Sequence, residues 1–263
     1  MTRATDFERG APGTARHATL CPDGVDLIFA DLSAAAPLLN DAEFSNRYLS
    51  PNDLSRLAGR PSRDMDGGRW RLARIALRIA LERHLGAAFR GQEFDIESGG
   101  RPLVPHATLK FSYAHTSGAA LIAISPAAPV GADLEALRVL HMAPGRQARV
   151  EDAGAALAPE VPLPATGVAR TLQAWVRLEA AAKLYGRGIG EALTNAGIIG
   201  GGKGVAGGGG CGTPAIVYDL QVPNGYFAAL AASRRPAAPS VRTFPLTRSA
   251  LDAFLADRVR SEA

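Results

Sequence analysis

The chain has 263 residues, of which 47% are hydrophobic and 21% are charged. That length and composition can bury a full core, so we expect an ordinary globular protein of one domain or two small fused ones. The net charge of +4 suits an anionic ligand or an acidic partner. No basic block with interleaved aromatic residues is present, which argues against nucleic acid as a partner.

The sequence also carries no sign of a membrane or secreted protein. No run reaches the roughly 18 to 20 uninterrupted apolar residues of a membrane-spanning helix. Residues 1–22 lack both the apolar segment of a secretory signal and any hydrophobic period, so we expect a flexible N-terminal segment and a cytoplasmic location. Cys21 and Cys211 lack the paired spacing of a zinc site, and we expect two free thiols.

The first predicted elements are a strand and a long helix. Residues 25–32 form a short apolar run rich in strand-forming residues, which predicts a strand. Apolar residues then recur at helical spacing over 69–85 and predict a well-packed helix. Gly67 and Gly68 are expected to precede this helix and Gly86 to end it.

A hairpin follows the long helix. After residues 94–97 and a Ser-Gly-Gly-Arg-Pro turn at 98–102, the apolar runs LKFSYAH and AALIAIS are separated only by residues 116–118. This pattern predicts two antiparallel strands joined by a tight turn. The run VGADLE at 130–135 predicts a further short strand.

The second half of the chain repeats the order of helix and hairpin. Residues 136–170 are rich in Ala, Pro and Arg, with only a short helix predicted at about 146–157. A second strong helix is predicted at 171–185, and AIVYDLQV and YFAALAAS are predicted strands joined by Pro-Asn-Gly. The Gly-rich run at 200–212 lacks the Gly-Lys-Ser/Thr ending of a phosphate-binding loop and predicts a flexible loop.

This repeated order predicts the architecture. We expect an α+β fold of two pseudo-symmetric lobes, each a long helix packed on a small antiparallel sheet, with the active site in the cleft between them. The predicted units are a flexible segment at 1–22, an N-terminal lobe at 23–126, a C-terminal lobe at 127–235 and a tail with a short C-terminal helix at 236–263.

Two acidic residues in a predicted strand form the first candidate site. Asp133 and Glu135 are two residues apart, so their carboxylates point to one face of the strand. Mg2+ prefers carboxylate oxygens and shares its shell with phosphate oxygens and water, so such a pair suits a metal beside an anionic substrate. The alternative is an exposed strand face, which is the commoner setting of an isolated Asp-x-Glu pattern.

The second predicted helix carries charge in an unusual place. Glu179 and Lys183 fall within the arc of the apolar stripe formed by Leu172, Trp175 and Val176. Charges on that side need partners or a wet cleft, because desolvating them unpaired costs several kcal/mol. The two residues therefore predict a polar site, with a structural buried ion pair as the alternative.

Further residues are candidates for binding phosphate. His115 ends a predicted strand beside hydroxyl residues, although a lone histidine is more often structural than functional. The arginines at 69, 71 and 101 can bind phosphate with two parallel hydrogen bonds. The chain has no Gly-x-Ser-x-Gly elbow and no evident histidine partner for either cysteine, so no covalent nucleophile is predicted.

Three runs in order, FSYAHTSG, VGADLE and WVRLEAAAKLYGRGI, resemble the signature motifs of the 4'-phosphopantetheinyl transferase superfamily. The similarity is to the longer, two-lobed type that serves peptide and polyketide synthases, and it extends over roughly residues 45–235. It includes GGRP at 99–102 and Arg69 before the first long helix. The resemblance implies coenzyme A as substrate, Mg2+ as cofactor, an acyl or peptidyl carrier protein as partner, and a protein that acts as a monomer.

The resemblance also implies a role for each candidate residue. Asp133, Glu135 and Glu179 would bind Mg2+ at the pyrophosphate of coenzyme A, and Glu179 would help to deprotonate the incoming serine. Lys183 would neutralise the pyrophosphate. The remaining contacts, with the 3'-phosphate and the nucleotide, would come from His115, Arg69 and Arg101.

The sequence departs from the family pattern at three positions. Leu178 precedes Glu179 where the family usually has lysine, and Ala114 and Thr116 stand where serines are common. Because the first two changes remove polar groups, an alternative is a catalytically weak relative that binds coenzyme A or a carrier protein without transfer. An unrelated Mg2+ phosphotransferase would require the three ordered motifs to be a coincidence.

Overall fold

The computed structural model describes seven ranges of the chain, namely residues 24–59, 65–97, 100–126, 128–195, 197–199, 215–235 and 239–257. These ranges form a mixed α+β fold with seven α-helices and three small sheets, which confirms the predicted fold class. The predicted N-terminal segment at 1–22, the Gly-rich run at 200–212 and both cysteines lie outside the described residues.

The secondary structure elements have the following bounds. The helices are α1 (Leu32–Asn46), α2 (Pro51–Ala58), α3 (Met65–Leu85), α4 (Pro144–Leu157), α5 (Gly167–Leu184), α6 (Ile189–Asn195) and α7 (Arg248–Ala256). The strands are β1 (Asp26–Asp31), β2 (Asp95–Ile96), β3 (Pro102–Leu103), β4 (Lys110–Thr116), β5 (Ala119–Ser125), β6 (Val130–Ala136), β7 (Ile216–Asp219), β8 (Tyr226–Ala232) and β9 (Val241–Thr243).

The largest sheet has four strands in the order β4-β5-β1-β9. The predicted hairpin forms β4 and β5, and its turn is Ser117-Gly118, where Gly118 adopts a left-handed φ of 85°. The predicted first strand forms β1, which pairs antiparallel with β5 and parallel with β9. Every residue of β5 is buried, so this sheet forms the centre of the first core.

The predicted helix at 69–85 is α3, which packs against this sheet. It begins before Gly67 and Gly68, so the prediction that these glycines precede the helix was wrong. Glycine weakens a helix without forbidding it, and the buried side chain of Trp70 already anchors the next part of the helix. Gly86 ends the helix as predicted, with a left-handed φ of 81°.

The structure contains elements that the sequence analysis missed. The Asp31 carboxylate begins α1 by accepting hydrogen bonds from the backbone of Ser33 and Ala34. Ser50 and Asp53 form a capping box at the start of α2, a pattern that is visible in the sequence. β9 and α6 were missed as well, and residues 241–243 of the predicted tail join the first sheet.

The second large unit is the sheet β6-β8-β7 with α5 on one face. The predicted strand at 130–135, the predicted helix at 171–185 and the predicted C-terminal hairpin correspond to β6, α5 and β7–β8. α5 lies very close to β6 at Gly131, because a Cβ atom there would lie 2.0 Å from the Ala180 carbonyl oxygen and 2.4 Å from the Leu184 nitrogen. The close packing of α5 on β6 therefore requires glycine at position 131.

Side chains of β4 connect it to β6. The Ser112 hydroxyl accepts a hydrogen bond of 2.9 Å from the Ala132 backbone nitrogen, and the Thr116 hydroxyl accepts one of 3.3 Å from Ala136. These bonds fix the acidic strand β6 beside the hairpin. Among the described residues, no helix combines the length and the hydropathy that crossing a membrane requires.

Candidate functional site

Three carboxylates from two elements converge at the contact of β6 with α5. Asp133 and Glu135 project from the same face of β6, and Glu179 projects from α5. One carboxylate oxygen from each residue lies within 4.8 Å of the other two. The close approach at Gly131 brings the helix near enough to the strand for this arrangement.

Asp133 is the most buried member of this carboxylate cluster, with 2% of its surface exposed. Its Oδ1 accepts a hydrogen bond of 2.6 Å from Lys183 Nζ, which also donates to the Ala132 carbonyl oxygen at 3.2 Å. Its Oδ2 is buried and has no hydrogen-bond partner among the described residues. A buried carboxylate oxygen without a donor is unfavourable, so this atom needs a cation or a proton.

Glu135 is paired with an arginine on the following loop. Arg138 Nη2 donates to Glu135 Oε1 at 2.9 Å, and Arg138 Nε donates to Oε2 at 3.1 Å. The sequence analysis did not identify Arg138, although a positive residue three positions after a candidate ligand is a visible signal. Lys183 and Arg138 thus each neutralise one of the three carboxylates.

The third carboxylate, Glu179, has a strongly perturbed pKa. Burial and the neighbouring Asp133 carboxylate raise the pKa of Glu179 to about 8, with Lys183 opposing the change. Burial lowers the pKa of Lys183, but attraction to Asp133 and Glu179 outweighs burial and raises that pKa. Without a metal, Lys183 and Arg138 offset two of the three carboxylate charges.

These three residues fit a hard divalent cation. All three ligands are carboxylate oxygens, the donors that Mg2+ prefers. Opposite ligands of an octahedral Mg2+ lie about 4.2 Å apart, given metal–oxygen distances of about 2.1 Å. At most one pair among three ligands can be opposite, and neighbouring ligands lie about 3.0 Å apart. The three carboxylate oxygens lie within 4.8 Å of one another, so the side chains must draw together around a bound cation. A cation would also satisfy Asp133 Oδ2.

A cleft adjoins the carboxylate cluster where β3, β4 and the C-terminal end of α5 meet. Its cavity volume is about 200 Å³, and its lining includes Arg101, Phe111, Tyr113, Lys183, Gly186 and Arg187. Lys183 faces both the cleft and Asp133, so the cluster lies at the edge of the cleft. Aromatic side chains and three cationic ones surround this space, which suits an anionic ligand with a flat ring.

The turn after α5 positions the cationic residues of the cleft. Gly186 takes the left-handed conformation that ends a helix, with a φ of 66°, and its backbone nitrogen donates to the Lys183 carbonyl oxygen at 3.1 Å. Arg187 follows directly and lines the cleft. Arg101 approaches from the other side and donates to the Leu184 carbonyl oxygen at 3.3 Å. The sequence analysis identified Arg101 but missed Arg187.

The two remaining candidates, Arg69 and His115, come from elements other than β6 and α5. Arg69 is half-buried on α3, and His115 is half-buried near the end of β4. By the alternation of a strand, His115 shares its face of β4 with Phe111 and Tyr113, which line the cleft. The lining found among the described residues includes neither Arg69 nor His115.

Leu178 and Ala114, where the chain departs from the motifs that it resembles, are core residues. Leu178 is 8% exposed and packs with Val150, Leu163 and Leu193, on the side of α5 that contacts α4 and α6. Ala114 is also buried, in the cluster between the two large sheets. Both substitutions therefore contribute to packing.

No protein-family model matches the chain, and a search of curated proteins gives no significant match. We therefore infer function from the chemistry of the carboxylate cluster and the adjoining cleft.

Proposed function

We propose that this protein is a Mg2+-dependent 4'-phosphopantetheinyl transferase. It would move the phosphopantetheine arm of coenzyme A to a serine of an apo acyl or peptidyl carrier protein and release adenosine 3',5'-bisphosphate. The observation that carries this proposal is the cluster of Asp133, Glu135 and Glu179 beside a cationic cleft, in which the buried Asp133 Oδ2 has no hydrogen-bond partner among the described residues.

The arrangement of the helices and sheets supports the proposed architecture. α3 packs on the sheet that contains the hairpin β4–β5, and α5 packs on the sheet that contains the hairpin β7–β8. We propose that these are two pseudo-symmetric lobes and that coenzyme A lies in the cleft between them. In this arrangement β6 and α5 supply the carboxylates, and β4 supplies the opposite wall.

The cationic residues of the cleft match the charges of coenzyme A. Lys183 would neutralise the pyrophosphate, and Arg101 would contact the nucleotide from the opposite side of the cleft. Arg69 and His115, which lie outside the lining, would reach the 3'-phosphate. Guanidinium groups bind phosphate through paired, charge-assisted hydrogen bonds.

Asp133, Glu135 and Glu179 would hold Mg2+, which supplies charge neutralisation at the pyrophosphate when bound. Glu179 would accept the proton of the carrier-protein serine, directly or through water. The serine oxygen then forms a bond to the β-phosphorus, and the bond from that phosphorus to the bridging oxygen breaks. The reaction requires alignment and charge neutralisation and no covalent enzyme intermediate.

The net charge of +4 also supports an acidic protein partner. We propose that the chain acts as a cytoplasmic monomer on its carrier protein.

Intact-protein mass spectrometry of an apo carrier protein tests this function. The carrier is incubated with this protein, coenzyme A and Mg2+, and the control contains EDTA. We expect a mass gain of one phosphopantetheine that EDTA prevents. No gain on several acyl and peptidyl carriers, with coenzyme A binding still measurable by calorimetry, would instead identify a coenzyme A-binding protein without transfer activity.

A further inference from the structure

Arg138 holds both oxygens of one proposed metal ligand. Its Nη2 lies 2.9 Å from Glu135 Oε1 and its Nε lies 3.1 Å from Oε2. Two parallel hydrogen bonds between guanidinium and carboxylate give a defined geometry as well as charge pairing. A cation that binds Glu135 must therefore share it with this guanidinium or displace it.

The backbone keeps Arg138 close to Glu135. β6 ends at Ala136, and the next residue, Leu137, donates a backbone hydrogen bond of 2.7 Å to the Gly225 carbonyl oxygen in the β7–β8 turn. Arg138 is thus tethered three residues from its partner on an anchored loop. A tether this short gives the guanidinium a high effective concentration at Glu135.

The exposure of the two side chains differs. The Glu135 side chain is 13% exposed, whereas the Arg138 side chain is 51% exposed. Arg138 can therefore move into solvent without disturbing the core, and Glu135 remains with the carboxylate cluster. Lys183, by contrast, contacts Asp133 from α5 and leaves one oxygen of that residue without a donor among the residues that the structure describes.

We propose that Arg138 is a tethered competitor of the divalent cation. Its guanidinium holds Glu135 before the cation enters, leaves it when the cation binds, and thereby weakens the affinity of the carboxylate cluster for a free divalent ion. Arg138 is a positioning residue in this account, and the account rests on the proposed cation site. The consequence is that the free ion binds measurably but weakly, and binds more tightly when an anionic substrate helps to hold it.

Direct titration with Mn2+, followed by the electron paramagnetic resonance signal of the free ion, measures this competition without relying on turnover. The variants are Arg138→Ala, Arg138→Lys and Glu135→Ala. The matched control is Arg248→Ala, which removes an arginine of similar exposure, 54%, that pairs with Asp41 and Asp252.

We expect Arg138→Ala to lower the Kd for Mn2+ by roughly two- to fivefold, the range that corresponds to loss of one exposed ion pair. Arg138→Lys keeps the charge but loses the paired hydrogen bonds, and we expect a smaller decrease in Kd. Arg248→Ala is expected to bind Mn2+ like the wild type, and Glu135→Ala is expected to bind it more weakly.

The outcomes separate this inference from the proposed function. If the wild type binds Mn2+ and Glu135→Ala weakens binding, but Arg138→Ala gives an unchanged or higher Kd, the competition is wrong and the cation site stands. If the wild type does not bind Mn2+, or Glu135→Ala does not weaken binding, the cation site itself is wrong and the inference fails with it.

Discussion

The two long helices, α3 and α5, both carry charge on buried surfaces, but they neutralise it differently. On α3, Arg74 and Arg78 bind the buried Asp53 at 2.8 and 2.6 Å, and Arg83 binds the buried Asp26 at 2.6 Å. Every one of these pairs joins opposite charges. The buried ions of α3 therefore hold the fold together.

The charges on α5 divide into two groups. Arg177 is fully buried and binds Asp219 at 2.6 Å, so it resembles the arginines of α3. Glu179 instead lies beside Asp133, a group of the same charge. A buried carboxylate oxygen without a hydrogen-bond donor among the described residues occurs on both helices' partners, at Asp133 Oδ2 and at Asp26 Oδ1, so the difference lies in the like charges. Like charges that lie close together without a full set of partners are unfavourable for folding. Groups with strongly shifted pKa values, such as Glu179, cluster at functional sites. This contrast is the reason that we propose a functional role for the carboxylate cluster and a structural one for the ion pairs of α3.

The largest expected effect is on catalysis. Asp133→Ala and the isosteric Glu179→Gln should each lower phosphopantetheine transfer by more than about 10³-fold, because each removes a proposed metal ligand. The midpoint of thermal unfolding should stay near the wild-type value for Glu179→Gln, which relieves the repulsion between the two carboxylates. It should fall for Asp133→Ala, which also leaves Lys183 without its carboxylate partner. Transfer assays and calorimetry on the same preparations check both expectations. Near-normal transfer by both variants would show that the site is assigned wrongly.

The corresponding substitution of a buried carboxylate that binds α3 should lower the stability of the fold. Asp53→Asn leaves Arg74 and Arg78 buried without a carboxylate, and we expect the free energy of unfolding to fall by about 3–5 kcal/mol. The control Asp41→Asn removes an exposed partner of Arg248, 62% exposed, and should cost less than about 1 kcal/mol. Urea unfolding measures both. Equal losses for the two variants would mean that the buried pairs of α3 are not structural.

The contact of α5 with β6 links stability to the carboxylate cluster. Gly131→Ala places a Cβ atom 2.0 Å from the Ala180 carbonyl oxygen, so the helix must move away from the strand. We expect a loss of about 1–3 kcal/mol in the free energy of unfolding, together with weaker transfer. Gly68→Ala on α3 meets no atom within 4 Å and should stabilise the helix by about 0.5–1 kcal/mol. A Gly131→Ala protein with wild-type stability would contradict the close packing.

The smallest expected effect is a loss of stability in acid. Burial raises the pKa of Asp53, but Arg74 and Arg78 outweigh burial and hold it below the ordinary value of 3.8. The stabilisation is therefore complete above about pH 4 and is lost as the pH falls through the lower pKa of the folded state. Urea unfolding at pH 3 and pH 7 should show a smaller pH dependence for Asp53→Asn than for the wild type. The same dependence in both proteins would exclude Asp53 as a source of acid sensitivity.

Sequence patterns predicted the helices and strands that are determined by residues close together in the chain. The hairpin β4–β5 and the helix α5 follow from alternation and helical spacing within a few residues. The strand β9 was missed because its partner, β1, lies more than 200 residues earlier in the chain. The helix α1 was missed because Pro37 lies inside it, where proline usually argues against a helix, and because its apolar residues do not form a clear stripe.

The candidate site was predictable to a similar extent. Asp133, Glu135, Glu179 and Lys183 were identified from the face of a strand and from charge on an apolar stripe. Their convergence depends on the contact of α5 with Gly131, which no local pattern encodes. The same limit applies to Arg74 and Arg78, whose shared helix face gave no sign of the buried Asp53 that binds them.

The position of a bound metal tests the proposed cation site most directly. Crystals grown with coenzyme A and Mn2+ would be measured at a wavelength where manganese scatters anomalously. We expect an anomalous peak within about 2.5 Å of oxygens from Asp133, Glu135 and Glu179. A peak elsewhere, or these three carboxylates without a metal when coenzyme A is bound, would contradict it.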